Sequence, residues 1–316
     1  MDAIAALLDG PRAQGAFLLR TMLEPPWSLR IQDEAPLSVV AMVSGEAWVL
    51  PDRGERTRLG PGDVGVFRGP DPYTVADHPD TPPQVVIHPG QRCTTLDGQD
   101  LKQAMELGVR TWGNSPHGST VMICGTYQMA GELGERLLAA LPPLLVLAAG
   151  EWDCPVIPLL GAELVKDEPG QEAVLDRLLD LLLIAVLRAW FARPDAEAPA
   201  WYRAQSDPVV GRALRMMHHH PDKPWTVASL AAATGVSRAA LARRFTELVG
   251  EPPMAYLTGW RLALAADLLK APDATVGAVA RQVGYGSGFA LSTAFKRVRG
   301  VSPKVHRSGT RSAAVG

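Results

Sequence analysis

The sequence predicts an α+β chain of several domains, in which an antiparallel β-barrel is followed by a helical segment and an all-α domain with tandem helix-turn-helix motifs. Three observations predict this class. Between Met1 and Ala130, apolar and polar residues alternate in short runs, as in β-strands. From residue 131 onward, apolar residues recur at spacings of three and four, as in helices, and the last third contains an internal repeat. The predicted domain boundaries are 1–130, 131–200 and 201–316.

Length and composition are those of a globular protein. The chain has 316 residues, of which 47% are apolar and 20% are charged, values typical of soluble domains. No apolar run reaches the ~18 residues that span a bilayer, and the first residues lack the basic lead of a signal peptide. We therefore expect a cytoplasmic protein with no membrane partner. Its three cysteines are too few and too widely spaced for a disulfide framework or a zinc site.

Short β-prone runs separated by glycine and proline predict the barrel. They are Leu37–Val43, Glu46–Leu50 and Asp63–Arg68. Runs of this length and spacing are typical of an antiparallel barrel or sandwich.

Two helices are predicted in the middle of the chain. Gly131–Val146 is amphipathic, and Gln171–Arg193 is apolar over much of its circumference. A helix this apolar is buried either within its own domain or against a second copy of the chain, and both interpretations stay open. The proline-rich stretch 194–200 that follows is typical of a linker.

Charge divides the chain into two regions of opposite sign. Residues 208–316 contain 15 Lys and Arg against 5 Asp and Glu, a net charge of +10, whereas residues 1–207 contain 16 against 28, a net charge of −12. A basic region of this size predicts an anionic partner, and nucleic acid is the first candidate. The alternative is a solvated basic face.

The basic region contains the repeat. A stretch from Leu230 to Pro253 recurs from Val279 to Pro303, at an offset of 49 at the turn glycine and 50 afterwards. Each copy predicts a short helix, a glycine turn and a second helix, which is a helix-turn-helix. In the second copy, four apolar residues recur at helical spacing and predict its inward face, with positive charge outside. These residues are Phe289, Leu291, Phe295 and Val298.

One continuous helix is predicted between the two copies. Apolar residues at spacings of three and four run from Met254 to Leu269. At about 1.5 Å per residue this helix is roughly 24 Å long, and adjacent major-groove faces of B-DNA lie about 34 Å apart. We therefore expect a helix of this length to be able to set two recognition helices on one side of a duplex.

Several segments resemble the AraC/XylS transcription regulators. Pro224–Ala231, Trp260–Leu269 and Val279–Pro303 are similar to their DNA-binding domain, over about residues 208–308. The stretch Arg58–Phe67 resembles the turn and strand of cupin barrels, and a cupin-like barrel before the DNA-binding domain is an order familiar in that family. Gly288 stands where the family commonly has a larger polar residue, which predicts weaker direct readout of bases by the second helix.

Helix geometry and the resemblance together assign DNA contacts. Arg243 faces outward and is the expected bidentate partner of a guanine; for any single cation the alternative is a solvated side chain. The residues expected to face the base edges are Ala239, Ala242, Arg243, Gly288, Ser292 and Thr293, and Arg238 is a DNA-contact candidate on the same outward face. The residues expected to contact phosphates are Arg244, Arg261, Arg281, Lys296 and Arg297.

The N-terminal region has candidate ligand and redox residues. Four aromatic residues predict an apolar pocket with Arg30 as a partner for an anionic ligand; the alternative is ordinary core aromatics and a surface ion pair. These aromatic residues are Trp27, Trp48, Tyr73 and Trp112. Cys93 and Cys124 are candidates for oxidation, although most free cysteines are small buried hydrophobes. The histidine cluster of metal-binding cupins is missing from the sequence, so we expect neither a metal nor another cofactor.

The resulting hypothesis is a sequence-specific transcription regulator that binds DNA as a homodimer. Its N-terminal domain would respond to a small-molecule effector or to thiol oxidation, and RNA polymerase is a further candidate partner. A cupin-type enzyme with an accessory DNA-binding domain is the alternative; it needs a metal cluster or an activated nucleophile, and the sequence indicates neither. A non-specific nucleoid-type DNA binder is a third interpretation.

Overall fold

The computed structural model describes residues 17–127, 131–152, 154–193, 198–271 and 273–307. Contacts between residues divide the described chain into two units. The N-terminal unit consists of residues 17–127 and 141–193, and the C-terminal unit consists of residues 131–140 and 198–307, with the gaps already given. Among the helices of the described residues, none combines the length and the apolar character needed to cross a membrane.

The N-terminal unit is built from two sheets. The strands are β1 (Phe17–Leu23), β2 (Ser28–Ile31), β3 (Leu37–Ser44), β4 (Ala47–Pro51), β5 (Thr57–Leu59), β6 (Val64–Arg68), β7 (Tyr73–Ala76), β8 (Val85–His88), β9 (Arg92–Thr95), β10 (Glu106–Gly108), β11 (Thr111–Gly113), β12 (Thr120–Tyr127) and β13 (Leu144–Leu147). In one sheet the strand order is β10-β11-β1-β12-β3-β6-β13, and in the other it is β5-β4-β7-β2-β8-β9. Strand pairs are antiparallel except β1 with β11 and β2 with β8.

The three strands predicted from alternation are confirmed as β3, β4 and β6. Side chains from both sheets, among them Leu29, Met42, Val49 and Met122, form one buried cluster. Their burial is the main stabilising term of this unit, since a buried apolar side chain contributes about 1.5–3 kcal/mol. The strand pairings among the described residues give two separate sheets, so an antiparallel-rich structure of two sheets is shown but a closed barrel is not.

Helices α2 (Val156–Leu164) and α3 (Gln171–Phe191) complete this unit. The helix predicted from Gln171 onward is confirmed. It packs on β12: the Tyr127 hydroxyl donates to the Leu179 carbonyl oxygen at 2.6 Å, and a Cβ added to Gly125 would lie 2.7 Å from Leu179 Cδ1. A side chain at position 125 would therefore displace the Leu179 side chain of α3.

The prediction of one helix over Gly131–Val146 is wrong in its second half. Helix α1 ends at Leu138, and Leu144–Leu147 forms β13, paired with β6. Pro142 and Pro143 lie between them. Proline cannot donate the helical hydrogen bond and disfavours the helical conformation of the residue before it, so the periodic pattern is interrupted there.

The C-terminal unit is helical. Its helices are α1 (Glu132–Leu138), α4 (Ala200–Arg203), α5 (Val210–His219), α6 (Val227–Thr234), α7 (Arg238–Val249), α8 (Pro253–Leu268), α9 (Val276–Gln282) and α10 (Gly288–Arg299). Two helix-turn-helix pairs, α6 with α7 and α9 with α10, are joined by α8, which confirms the tandem arrangement and the single connecting helix.

Helix α8 supplies residues to the cores of both motifs. Tyr256 and Leu257 pack in the cluster that contains α5, α6 and α7, and Leu262 and Ala266 pack in the cluster that contains α9 and α10. A single helix shared by two cores fixes the position of each motif relative to the other.

Helix α1 packs against α8 in the same unit. Leu133 forms a buried cluster with Trp260 and Ala263. The Asp267 carboxylate accepts from the backbone N–H groups of Glu132 at 2.9 Å and Leu133 at 3.2 Å, so a side chain of α8 caps the first turn of α1. Glu132 forms an ion pair with Arg299 at the end of α10.

The turn of the second motif depends on Gly284. Its φ is +80°, a conformation that favours glycine. A Cβ at this position would lie 2.5 Å from the Pro221 carbonyl oxygen and 2.6 Å from Arg261 Nη2. Both the backbone conformation and the available space therefore require glycine.

Candidate nucleic-acid interface and ligand cavity

The two recognition helices have matching ends. Both contain 12 residues; α7 begins at Arg238 and α10 at Gly288, an offset of 50. The Ser237 hydroxyl accepts from the Ala240 N–H and the Ser287 hydroxyl accepts from the Ala290 N–H, each at 3.1 Å. A serine at the N-cap with its side chain bonded to the third helical residue fixes where each helix begins, so this offset relates equivalent positions.

Helix α7 buries Leu241 and Phe245 against the core of the first motif. At roughly 100° per residue, Ala239, Arg243 and Thr246 lie on the opposite side, and all three are exposed. The side chain of Arg243 is 77% exposed, with its Nε 3.7 Å from Glu247 Oε1. Exposed i,i+4 pairs contribute only a few tenths of a kcal/mol, so this guanidinium exchanges Glu247 for another partner easily.

Helix α10 buries Leu291 and Phe295, and its opposite side consists of Phe289, Thr293 and Lys296. The prediction that Phe289 faces inward is wrong, because this side chain is 83% exposed. Val298 lies on the same side of the helix as Leu291, but it is 53% exposed because it is in the last turn of α10, beyond the buried core. Phe289 precedes Leu291 by two positions, or roughly 200° of helix rotation, which places it on the opposite side. The repeat offset was the available signal: it maps Phe289 onto Ala239, a position already assigned to the outer face.

The other predicted base-facing residues lie beside these two faces. Ala242, Gly288 and Ser292 are half-buried. The Ser292 hydroxyl donates to the Gly288 carbonyl oxygen at 2.8 Å, and the Thr293 hydroxyl donates to the Phe289 carbonyl oxygen at 3.0 Å. Both hydroxyl protons are therefore engaged by the helix backbone.

The predicted phosphate contacts fall into two groups. Arg281, Lys296 and Arg297 are exposed, as is Arg238 at the start of α7, and they surround the recognition helices with positive charge. Their contacts with DNA stay predictions.

Arg244 and Arg261 have partners within the unit. Arg244 Nε donates to Asp207 Oδ2 at 2.8 Å. Arg261 donates to the carbonyl oxygens of Pro221 at 2.7 Å and Lys223 at 2.6 Å, and burial lowers the pKa of Arg261. Both guanidinium groups thus hold neighbouring segments in place, a role that sequence reasoning missed because the partners lie 37 to 40 residues away.

A cavity of about 780 Å³ lies within the N-terminal unit. Side chains of both sheets line it, and its size falls within the ~300–1,000 Å³ typical of ligand pockets. Its apolar walls include Leu29, Ile31, Val40, Ile87 and Met122. Its charged lining residues are Asp33, Arg92, Asp100, Lys102, Glu106 and Arg110.

Two of the five predicted ligand residues line this cavity. Tyr73 and Trp112 do, and the Tyr73 ring stacks on Phe67 with centroids 4.4 Å apart. Burial raises the pKa of Tyr73, so its phenol is protonated at neutral pH. Trp27 is buried in the core, and Trp48 is half-buried in β4; neither lines the cavity.

Arg30 lies outside the cavity lining as well. Its Nη1 and Nη2 donate to the two carboxylate oxygens of Asp52 at 2.6 and 2.7 Å. Arg30 therefore forms a bidentate ion pair, which was the alternative to a contact with an anionic ligand.

Both redox candidates line the cavity. Burial raises the pKa of the Cys124 thiol to about 11, and burial together with the nearby Asp100 raises that of Cys93 to about 11. The Cys124 sulfur lies 3.6 Å from the Thr21 hydroxyl oxygen. Because the thiolate is the reactive form, this environment disfavours oxidation at neutral pH. The described residues contain no group of three or more His, Cys, Asp or Glu placed to hold a metal ion.

Comparisons with known proteins match the N-terminal and C-terminal parts of the chain to different families. Residues 2–192 match a family model described as cupin, and residues 230–309 match one described as a helix-turn-helix domain. A relative from Streptomyces lividans, named as an AraC-like transcription regulator, is 33% identical over 89% of this chain and 90% of its own length. A second, from Streptomyces antibioticus and named likewise, is 37% identical over 67% of this chain and 70% of its own.

Among solved structures, the DNA-binding domain of the transcription factor AdpA in complex with a target DNA is 33% identical, with a TM-score of 0.32. The match covers 34% of this chain and 96% of that one. The cupin match spans more than half of the chain, and both Streptomyces relatives exceed 30% identity over most of their length. The chain therefore belongs to the AraC-like transcription regulators with an N-terminal cupin domain, and it is a DNA-binding transcription regulator.

Proposed function

We propose that this regulator recognises a specific DNA sequence through α7 and α10, and that a small molecule bound in the cupin cavity alters its DNA binding. One observation is central: two recognition helices with the same caps and the same length present exposed outer faces from a single connecting helix. Two faces held by one helix engage a duplex as a unit, and their spacing selects for two recognition segments at a fixed separation.

The exposed cations give the affinity that does not depend on sequence. Arg281, Lys296 and Arg297 lie on or beside the recognition helices and contact phosphates. Each phosphate contact releases counterions, so binding weakens as salt concentration rises. Sequence preference comes from base-edge contacts, with Arg243 as the bidentate partner of a guanine.

The cavity supports a small-molecule effector over thiol oxidation. It has room for a ligand and largely apolar walls, whereas both thiols have pKa values of about 11. An effector changes DNA binding only if it binds the DNA-competent and DNA-incompetent states with different affinity. The response therefore requires an effector that interacts unequally with two arrangements of the cupin domain.

An exposed apolar stripe on α3 supports a homodimer. Val174 and Leu181 are 44% and 48% exposed, and the half-buried Leu178 lies between them at a helical spacing of four and three. In the same unit, Leu159 of α2 and Val165, which directly follows α2, are also exposed. An exposed apolar stripe on a helix is typical of an interface between copies, and a dimer would present two pairs of recognition helices to the DNA.

We propose no catalytic role, in line with relatives named as transcription regulators. We propose RNA polymerase as a further partner, and the only support for this is that the protein regulates transcription.

The test is the binding of the purified full-length protein to DNA upstream of its own gene and of neighbouring genes. Each fragment is compared with a scrambled duplex of equal length over a salt series. A preference of ~1,000-fold or more for one fragment supports sequence-specific regulation. Equal affinity for all fragments, with the same steep salt dependence, would instead mean a general DNA binder.

A further inference from the structure

The most exposed large hydrophobic side chain among the described residues is on a recognition helix. Phe289 is the second residue of α10 and is 83% exposed. Single exposed hydrophobic residues are common on protein surfaces, so exposure alone assigns no role. The position of the side chain on the helix is the informative observation.

Phe289 occupies the same place on α10 that Ala239 occupies on α7. The N-caps Ser287 and Ser237 accept equivalent hydrogen bonds. Residues that are 50 positions apart in the sequence therefore occupy equivalent positions in the two helices. Phe289 lies in the first turn, on the side opposite the buried Leu291. The N-terminal residues of a recognition helix are those that contact base edges in helix-turn-helix proteins.

The neighbours of Phe289 offer few hydrogen-bond donors to base edges. Gly288 has no side chain, and the Ser292 and Thr293 hydroxyls already donate to backbone carbonyl oxygens, which leaves them only as acceptors. Lys296 and Arg297 lie in the later turns of α10, where they suit phosphates, and Arg299 pairs with Glu132. The large side chain that extends from the first turn toward the bases is therefore apolar.

An apolar group in the major groove has one complementary feature to contact, which is the C5 methyl group of thymine. We infer that Phe289 is a specificity-determining residue, and that α10 recognises thymine through contact of this ring with thymine methyl groups. The inference rests on the proposed sequence-specific DNA binding. The two helices then use different chemistry: α7 recognises guanine by hydrogen bonds from Arg243, and α10 recognises thymine by burial of apolar surface.

The experiment begins with selection from a pool of random 30-bp duplexes by three full-length proteins: wild type, F289S and V298S. Val298 is an exposed apolar residue of the same helix. It is the matched control, because its position nine residues after Phe289 corresponds to roughly 180° around the helix. The wild type and V298S are expected to enrich one guanine-containing segment and, about one helical turn away, one thymine-containing segment. F289S is expected to enrich the guanine segment alone.

The second stage removes only the methyl groups. In the duplex enriched by the wild type, thymines of the second segment are replaced by deoxyuridine, which pairs identically but lacks the C5 methyl. Wild-type affinity is expected to fall about threefold to fourfold for each contacted methyl, the value of one buried methyl-sized group. F289S is expected to bind the thymine and deoxyuridine duplexes equally.

The outcomes separate this inference from the function on which it rests. If the wild type enriches a specific sequence but does not distinguish thymine from deoxyuridine, or if F289S keeps the thymine preference, the role of Phe289 is refuted while the proposed function stands. If the wild type enriches no sequence, sequence-specific binding itself is refuted, and this inference with it. Because Phe289 is exposed, F289S should fold like the wild type, which circular dichroism verifies.

Discussion

Replacing Arg243 by alanine should weaken specific DNA binding and leave folding unchanged. The side chain is 77% exposed on the outer face of α7, and its one described ion pair is with Glu247 in the next turn, at 3.7 Å. Loss of an exposed pair of this kind costs only about 0.3–0.5 kcal/mol. The thermal unfolding midpoint should therefore move by no more than a few degrees.

The effect on DNA binding should be much larger. A bidentate contact between arginine and guanine contributes about 1–3 kcal/mol of discrimination, which corresponds to roughly 5- to 150-fold in affinity for the specific site. Affinity for scrambled DNA should change far less. Because the contact is to a base and not to a phosphate, the slope of log affinity against log salt concentration should stay close to that of the wild type.

Fluorescence anisotropy on the specific and scrambled duplexes, each over a salt series, measures the specific affinity, the non-specific affinity and the salt dependence. R212A is the matched control, since Arg212 is an exposed arginine of α5 in the same unit and its loss removes the same charge from a helix other than α7 and α10. The assignment of α7 to the groove would be refuted if R243A and R212A lowered specific and non-specific affinity equally.

Three further predictions concern the dimer, the C-terminal unit and the thiols. L181E places a charge in the exposed apolar stripe of α3, and light scattering should show a shift toward monomer; an unchanged mass would rule out this stripe as the interface. D267A removes the acceptor of two N–H groups at the start of α1, which lowers the stability of that helix end by about 1 kcal/mol. Amide hydrogen exchange in α1 should therefore become about fivefold faster, and unaltered exchange would contradict the capping role. In a C154S background, the rate at which iodoacetamide alkylates Cys93 and Cys124 should be low at pH 7 and should rise about tenfold per pH unit up to pH 10. The pKa values of about 11 lie above this range, so each pH unit multiplies the thiolate fraction by ten. Rapid alkylation at pH 7 would show that a reactive thiol exists and would restore oxidation as the signal.

Periodicity and the repeat were enough to predict the elements of the two helix-turn-helix motifs. The spacing of Leu257, Trp260 and Leu264 predicted α8 as one helix, because that helix buries residues into two cores along its length. The repeat predicted both motifs because its turn glycine and capping serine have local conformational roles. Local signals of this kind are present in the sequence itself.

Features that depend on tertiary contacts were less predictable. The partners of Arg244 and Arg261 lie far away in the chain, so these side chains were indistinguishable from free surface cations. Phe289 was assigned to the core because it is apolar, although its helix angle and its equivalence to Ala239 place it on the outer face. The cavity draws its lining from many strands, and which aromatic residues reach it depends on how the two sheets face each other.

Hydroxyl-radical footprinting of the full-length protein on its selected DNA site tests the account most directly. If α7 and α10 both enter the major groove from one side of the duplex, each protomer should protect two segments separated by about one helical turn, 10–10.5 bp. R243A should lose protection in one segment, and F289S should lose it in the other. A single protected segment per protomer, or uniform protection along the duplex, would contradict recognition by two helices held on one connecting helix.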